Sequence, residues 1–362
     1  MIVKKLASLL DAPVHPHVFG VMRVGMGLIL FQALRKSAQE LLRDVYFASA
    51  FYVPFFDWMP VPSRSLFALL LALRVLLAAL MVVGVWSRPA TFVSGALGLY
   101  VVLLDRLQFH NNRYSLALYL LLLGFAPVHR SASLFAATPP ADERWPIGGG
   151  ALAKLQLALI YVGSAGSKLL DPDWRDGTVL AVRFVHGQAQ AIALGVPRAL
   201  METLASPLVS SVLARAAIST ELFLVFALFL RRLRIPALWI GCMFHLLIEV
   251  TARVESFTWL TLAMYGLFVT HDVEARTLHF DGEDRRARVL ARLLRLTDWL
   301  RRYRVVAWSA DEVRGKHSVV ITRRDGSRAT GFAAWVMAAR TLPLLFPLWA
   351  PLALIQALRP KR

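Results

Sequence analysis

The sequence predicts an all-α polytopic membrane helix bundle of about eight spans, followed by a small C-terminal α/β unit. Hydrophobic residues make up 57% of the 362-residue chain, and mean hydropathy is +0.56. A water-soluble domain has no use for so much apolar surface. The apolar residues are also gathered into repeated runs, separated by basic or Pro/Gly-rich segments. After His271 the texture changes to short β-type runs around a basic amphipathic stretch.

Taken in order, the expected spans are Val18 to Leu34, Ser65 to Trp86, Ala90 to Leu104, Tyr114 to Val128, Ala151 to Leu170, Leu213 to Leu230, Ile235 to Val250 and Phe257 to Thr270. Several fall short of the roughly 20 residues of a lone spanning helix, which suits tilted partners or helices extended by polar flanks. Arg130 to Gly150, rich in Pro and Gly, reads as an exposed loop. Gly177 to Pro207 mixes apolar stretches with Arg183, His186, Gln188, Gln190 and Arg198, the texture of interfacial or re-entrant helices. These elements make a membrane domain of residues 1–275.

Residues 276–362 form the second unit. Leu278 to Asp281, Arg304 to Trp308 and Ser318 to Arg324 read as strands, and Arg285 to Arg301 and Phe332 to Leu342 as helices. Arg324, Asp325 and Gly326 supply a turn, and a proline-punctuated apolar tail follows.

A net charge of +18 raises the question of nucleic acid, but the arginines border apolar spans and no nucleic-acid motif accompanies them. The lipid bilayer and its anionic headgroups are the expected partners. Cys242 is the single cysteine, so intramolecular disulfides, CxxC redox pairs and zinc–thiolate clusters are excluded. Met1 to Pro16 leads directly into the first span and reads as retained. Lys4 and Lys5, the Arg231, Arg232 and Arg234 loop, and the basic segment after Arg276 place both termini in the cytoplasm of an even-span bundle. Arg35, Lys36, Arg43 and Arg64 then fall on the outer side, with Asp171, Trp174 and the Asn111 to Arg113 segment.

The fifth span, ALAKLQLALIYVGSAGSKLLDPDW, is the most telling. Steps of seven from Lys154 reach Tyr161 and Lys168, which therefore stack near one helical face. A lysine at such a depth either snorkels to the headgroups or is desolvated and serves as a base. Arg23 and Arg74 interrupt the first two spans and must face the bundle, where they knit helices through carbonyls or Glu221, or meet an anionic or oxygen-rich ligand. Glu221 needs a partner, and His245 is the expected one, as a structural pair or a proton relay. Cys242, His245 and Glu249 share a face, but no second histidine stands at i+4, and no metal site is expected. Asn111 and Asn112 suit the cap of the fourth span.

The segments FGVMRVGMGL, NNRYSLALYLLLL and KLQLALIYVGSAGSKLLDPDW together resemble the HTTM (horizontally transferred transmembrane) family, whose best-known member is vitamin K-dependent gamma-carboxylase. The resemblance covers about residues 15 to 270. It implies a quinone, hydroquinone or other lipid-soluble substrate, with Lys168 as the base and Asn111 and Asn112 on the family's paired asparagines. The remaining expected contacts are Arg113, Tyr114, Tyr161, Asp171, Trp174 and Arg23, with Glu221 and His245 as relay or support. Arg113 replaces the family's histidine after the asparagines, and the large lumenal portion has no counterpart, so glutamate carboxylation is not expected.

HFDGEDRRARV and GFAAWVMAARTLPLLFPLWAPL resemble the DCC thiol-disulfide oxidoreductase-like family, which implies a thioredoxin-like fold for the C-terminal unit. The two cysteine positions fall on Asp284 and Ala287, so dithiol exchange is excluded. The chain reads as a protein of the bacterial inner membrane, and two functions stay open. One is an enzyme acting on a quinone or similar lipid-soluble molecule. The other is a non-catalytic assembly, binding or transporter-like component whose polar residues hold helices together.

Overall fold

The computed structural model describes residues 8–42, 53–135, 137–193, 195–252, 254, 256–270, 272–308 and 319–359. Two compact units result: Met1–Thr138 with Trp145–Val269, and Pro139–Arg144 with Thr270–Arg362.

The first unit opens with strand β1 (Pro13–Val14) and helix α1 (His17–Leu42), followed by α2 (Arg64–Val83), α3 (Ser87–Leu103) and α4 (Asn111–Leu123). Ser63 caps α2 by accepting the Leu66 N–H at 3.2 Å, and Gly84, left-handed at φ 84°, ends it. The cap of α4 is His110, whose Nδ1 accepts the Asn112 N–H at 3.3 Å. This corrects the expectation that the asparagines cap that helix; a ring nitrogen one residue earlier reaches the same orphan donor.

Strand β2 (Trp145–Pro146) pairs antiparallel with β1 and leads into α5 (Gly149–Leu170). Asp171 stops α5 by turning extended, and its carboxylate accepts the Asp173 N–H at 3.0 Å to start α6 (Pro172–Arg175). Pro172, with no N–H to lose, fits the first position. Then come α7 (Thr178–Ala193), α8 (Arg198–Ala205), α9 (Pro207–Ala227), α10 (Arg234–Ala252) and α11 (Phe257–Met264). The chain tightens into a 3-10 turn over Tyr265–Phe268, short of the Thr270 expected as the end of the last span.

All eight expected spans are helical, but most are not long apolar rods. Among the described residues, three helices are long and apolar enough to cross a membrane: His17–Gln39, Arg64–Val83 and Pro207–Ala227. A pair bent by 117° over Gly331–Leu358 makes a fourth if counted as one span. Helices α3 and α4 hold 17 and 13 residues, while α5 and α10 are long but carry Lys154, Lys168, His245 and Glu249. The polar residues that make a site also lower the apolar density of the helices bearing them.

Packing sorts the faces. On α2, Leu66, Leu69, Leu73 and Leu76 are exposed, while Phe67, Arg74, Leu77, Ala78 and Met81 are buried. An apolar outer surface over a bundle with polar groups inside is what lipid demands. The buried face of α3 is a stripe of Ser87, Ala90, Thr91, Ser94, Gly95 and Gly98, the small-residue seam that lets membrane helices approach closely. A Cβ at Gly95 would meet the Leu121 nitrogen at 2.4 Å and the Ala117 oxygen at 2.8 Å.

In the second unit, β3 (Arg276–Phe280) runs parallel to β4 (Tyr303–Ala307) with α12 (Arg285–Thr297) between them. Strand β5 (Val319–Thr322) is antiparallel to β3, and β6 (Arg328–Thr330) to β5, giving the order β4-β3-β5-β6. Gly326 (φ 79°) and the Asp325 carboxylate, which accepts the Ser327 N–H at 3.0 Å, form the hairpin turn. Helix α13 (Gly331–Thr341), a 3-10 turn over Pro343–Leu348 and α14 (Trp349–Leu358) complete it.

Leu278, Phe280, Ala287, Ala291, Leu294, Ile321, Ala334 and Ala338 share one core, so α12 and α13 pack on the sheet through small residues. Helix α12 ends four residues before the Arg301 expected. Asp298 takes the N–H groups of Arg302 (2.8 Å) and Tyr303 (2.9 Å), breaking the helix and starting β4. Burial raises the Asp298 carboxyl above its ordinary range. Asp272 gathers Arg276, Arg302 and Arg324.

The Gly95 contact makes a direct test. Gly95→Val places a side chain against α4 backbone and is expected to destabilise the bundle by about 1–3 kcal/mol. Thermal unfolding in detergent reads it, with the exposed Leu69→Val as the neutral control.

Candidate functional site

The site is built where α5 packs on α9 and is closed by α10, α11 and the 3-10 turn. Tyr161, Ser164 and Lys168 stand at i, i+3 and i+7 of α5, so one face presents all three. Lys168 Nζ lies 2.5 Å from Glu221 Oε1 on α9 and donates to Ser164 Oγ at 2.7 Å; Ser164 in turn donates to the same carboxylate oxygen at 3.0 Å. The two charged side chains are 14% and 6% exposed, so this is a largely buried, hydrogen-bonded ion pair. The Trp174 ring lies 5.1 Å from the Lys168 ammonium, and the Arg183 guanidinium lies 5.3 Å from the same ring.

One turn earlier on α5, the Tyr161 hydroxyl sits 2.9 Å from His245 Nε2 on α10 and 2.6 Å from the Tyr265 hydroxyl. Tyr161 and His245 are each 1% exposed. The Thr258 hydroxyl donates to the His245 carbonyl at 3.3 Å, tying α11 to α10. Gly241, one turn before His245, makes room: a Cβ there would lie 2.0 Å from the Tyr265 oxygen.

Among the described residues, Glu221 Oε2, His245 Nδ1 and the hydroxyl of Tyr119 on α4 are buried without a hydrogen bond, as is Glu249 Oε2 one turn past His245. Tyr119 is close enough to Tyr161 and Tyr265 to interact with both electrostatically. Among the described residues no three His, Cys, Asp or Glu side chains gather as metal ligands.

The expected residues separate into two groups. Lys168, Glu221, His245, Tyr161 and Trp174 come together as above. The direct Glu221–His245 pair does not form: Glu221 takes the lysine and His245 takes Tyr161, because α5 lies against α9 and carries both partners on one face. The Asp171 carboxylate caps α6, and Asn112 Nδ2 donates to the Val254 carbonyl at 3.4 Å. Asn111 is exposed at the start of α4, Arg113 is half-buried, and Tyr114 packs its ring 5.8 Å from Phe109. Arg23, fully buried, donates to the carbonyls of Val128 (2.8 Å), Ser131 (3.2 Å) and Ala132, tying α1 to the turn after α4.

Ser164, Tyr265, Tyr119 and Gly241 escaped the sequence reading. Ser164 was within reach of it, since it lies on the Tyr161–Lys168 face. Tyr265 and Gly241 were not, because nothing local marks a glycine as space for a tyrosine on another segment.

A multipass membrane bundle in which one helix face carries both an ion pair and a tyrosine–histidine contact is the class of protein that fold and site define. The profile of the HTTM domain matches residues 12–273, and the chain belongs to that family, the group with gamma-carboxylase-like membrane domains. No match was found among curated proteins or among solved structures.

Breaking a buried pair leaves an uncompensated charge, so Lys168→Met or Glu221→Leu alone is expected to cost about 3–5 kcal/mol. The double variant, which leaves neither charge, is expected to recover most of that loss. Thermal unfolding of the four proteins in detergent measures the coupling, and additive losses would dissolve the pair as a unit.

Proposed function

We propose that the bundle binds the polar head of a lipid-soluble molecule, of quinone or hydroquinone type, beside the Lys168–Glu221 pair, with Lys168 as a base. The observation that supports this reading is a set of buried atoms without a hydrogen bond among the described residues: Glu221 Oε2 in the pair itself, and His245 Nδ1 and the Tyr119 hydroxyl on two helices near Tyr161. Unpaired polar atoms in an apolar interior are costly, and a ligand with donor and acceptor oxygens would satisfy them.

The Lys168 ammonium passes a proton to the Glu221 carboxylate across 2.5 Å, which turns two opposite charges into two neutral groups. The free amine then accepts a phenolic proton from the ligand and becomes ammonium again. Ser164, bonded to both partners, holds the amine and carboxylate in line. Tyr161, Tyr265 and His245 form the wall that orients the ring oxygens. A second reading, in which the pair merely joins α5 to α9, is favoured by the neutralisation of Lys168 by Glu221.

The C-terminal unit is proposed to be thioredoxin-like without its chemistry. In support, β3-α12-β4 is a parallel unit, β5 and β6 add antiparallel in the order β4-β3-β5-β6, and α12 begins beside Asp284, where the resemblance would put the first cysteine. The proposed setting is a bacterial inner membrane with both termini cytoplasmic.

Trp174 gives the reading an optical test. In nanodiscs, a short-chain benzoquinone is expected to quench tryptophan emission saturably, and Trp174→Phe to remove most of the quenching. Lys168→Met and Glu221→Gln are expected to weaken binding by roughly tenfold or more, about 1.4 kcal/mol. Wild-type affinity in both variants would assign the pair to structure, and absence of saturable binding by quinone and hydroquinone alike would reject the ligand class.

A further inference from the structure

Helix α12 has two faces that disagree with a life in water. Ala287, Ala291 and Leu294 are buried against the sheet. On the outward side, Val289, Leu293, Leu296 and Trp299 are 53%, 54%, 66% and 51% exposed. The first three fall at i, i+4 and i+7 and form one stripe. Arg285, Arg288, Arg292 and Arg295 are exposed beside it, and the helix contains no acidic residue. A solvated face would alternate charges of both signs, whereas a stripe of leucine and tryptophan bordered by arginine is the pattern of a helix lying in a bilayer interface.

Local contacts hold the parts in place. Arg288 donates to the Gly282 carbonyl at 3.0 Å and Arg295 to the Val305 carbonyl at 3.3 Å, so both guanidinium groups stay alongside the helix. The Trp299 indole N–H donates to the Leu296 carbonyl at 3.0 Å, which fixes the ring at the end of the apolar stripe. An amphipathic ring at that position suits the headgroup level. The same unit has a second apolar element, the 117° bent pair, where Leu344, Leu348, Leu354, Ile355 and Leu358 are exposed. Two exposed apolar elements in one small unit, covalently tied to a membrane bundle, favour lipid over an acidic protein as the partner.

We propose that the outward face of α12 docks on a bilayer surface of anionic lipid, with its leucines and Trp299 inserted at the headgroup boundary and its arginines meeting phosphates. The C-terminal unit is then a charge-dependent membrane-surface module, independent of any ligand at the buried pair.

The full-length chain in nanodiscs tests this. Cys242 is the sole cysteine, so a Cys242→Ser background accepts an environment-sensitive dye at Leu293→Cys, with exposed Arg304→Cys on β4 as the control. With discs containing phosphatidylglycerol, the dye at 293 is expected to shift to the blue, resist iodide and be quenched by spin-labelled lipid. It is expected to revert in phosphatidylcholine discs, in high salt, and in an Arg285→Glu, Arg292→Glu variant, since the attraction is screened charge. Iodide access at 293 in every disc overturns the proposal. So does protection that is equal in neutral discs and detergent, which would mean that protein covers the face.

Discussion

The arrangement of the membrane unit turns on one contact, the Lys168–Glu221 ion pair. Neither charge is tolerable alone in an apolar bundle, so α5 and α9 must pack wherever this pair requires. The amine and carboxylate are 2.5 Å apart with Ser164 bonded to both, which fixes the rotation of α5 as well as its depth. With that rotation set, Tyr161 one face-step earlier has to point between α10 and the 3-10 turn, where His245 and Tyr265 receive it.

Close approach elsewhere lets the pair be met. Small residues on α3 and the empty side of Gly241 bring backbones and rings nearer than branched side chains would allow. Arg23 acts differently. It satisfies three carbonyls of the turn after α4, so a charged residue in the first helix serves as backbone solvation for a loop that lipid cannot solvate.

Helix positions were legible because apolar runs of the right period are local facts; each expected span became a helix within a few residues. Strands β3, β4 and β5 were legible for the same reason, whereas β1, β2 and β6, of two or three residues each, are too short to show a period, and Asp298 shows where local reading fails. Its carboxylate captures two N–H groups farther along the chain and ends a helix that periodicity alone would extend. Three or four helices among the described residues are long and apolar enough to cross a membrane, so the count of eight spans is not confirmed; α4 is short, as several of the apolar runs are, and α10 carries His245 and Glu249. In the site, the lysine, tyrosine, glutamate and histidine stood out as polar letters in apolar runs. Their pairing did not, since a spacing rule within one helix is silent about which neighbour faces it.

Stability alone is a weak reason for such a pair. A buried lysine and glutamate cost several kcal/mol to desolvate, and apolar residues of the same volume commonly do as well or better. The surrounding groups deepen the cost, because Glu221 Oε2, His245 Nδ1 and the Tyr119 hydroxyl remain unpaired in the same interior. A bundle needing only cohesion would be better served by the leucines it uses everywhere else. On the proposed reading the pair provides what leucine does not: two groups able to exchange a proton, joined through Ser164 on the helix face that also carries Tyr161 and its His245 contact. The proposed ligand, with its acidic hydrogen and acceptor oxygens, would give that combination its use.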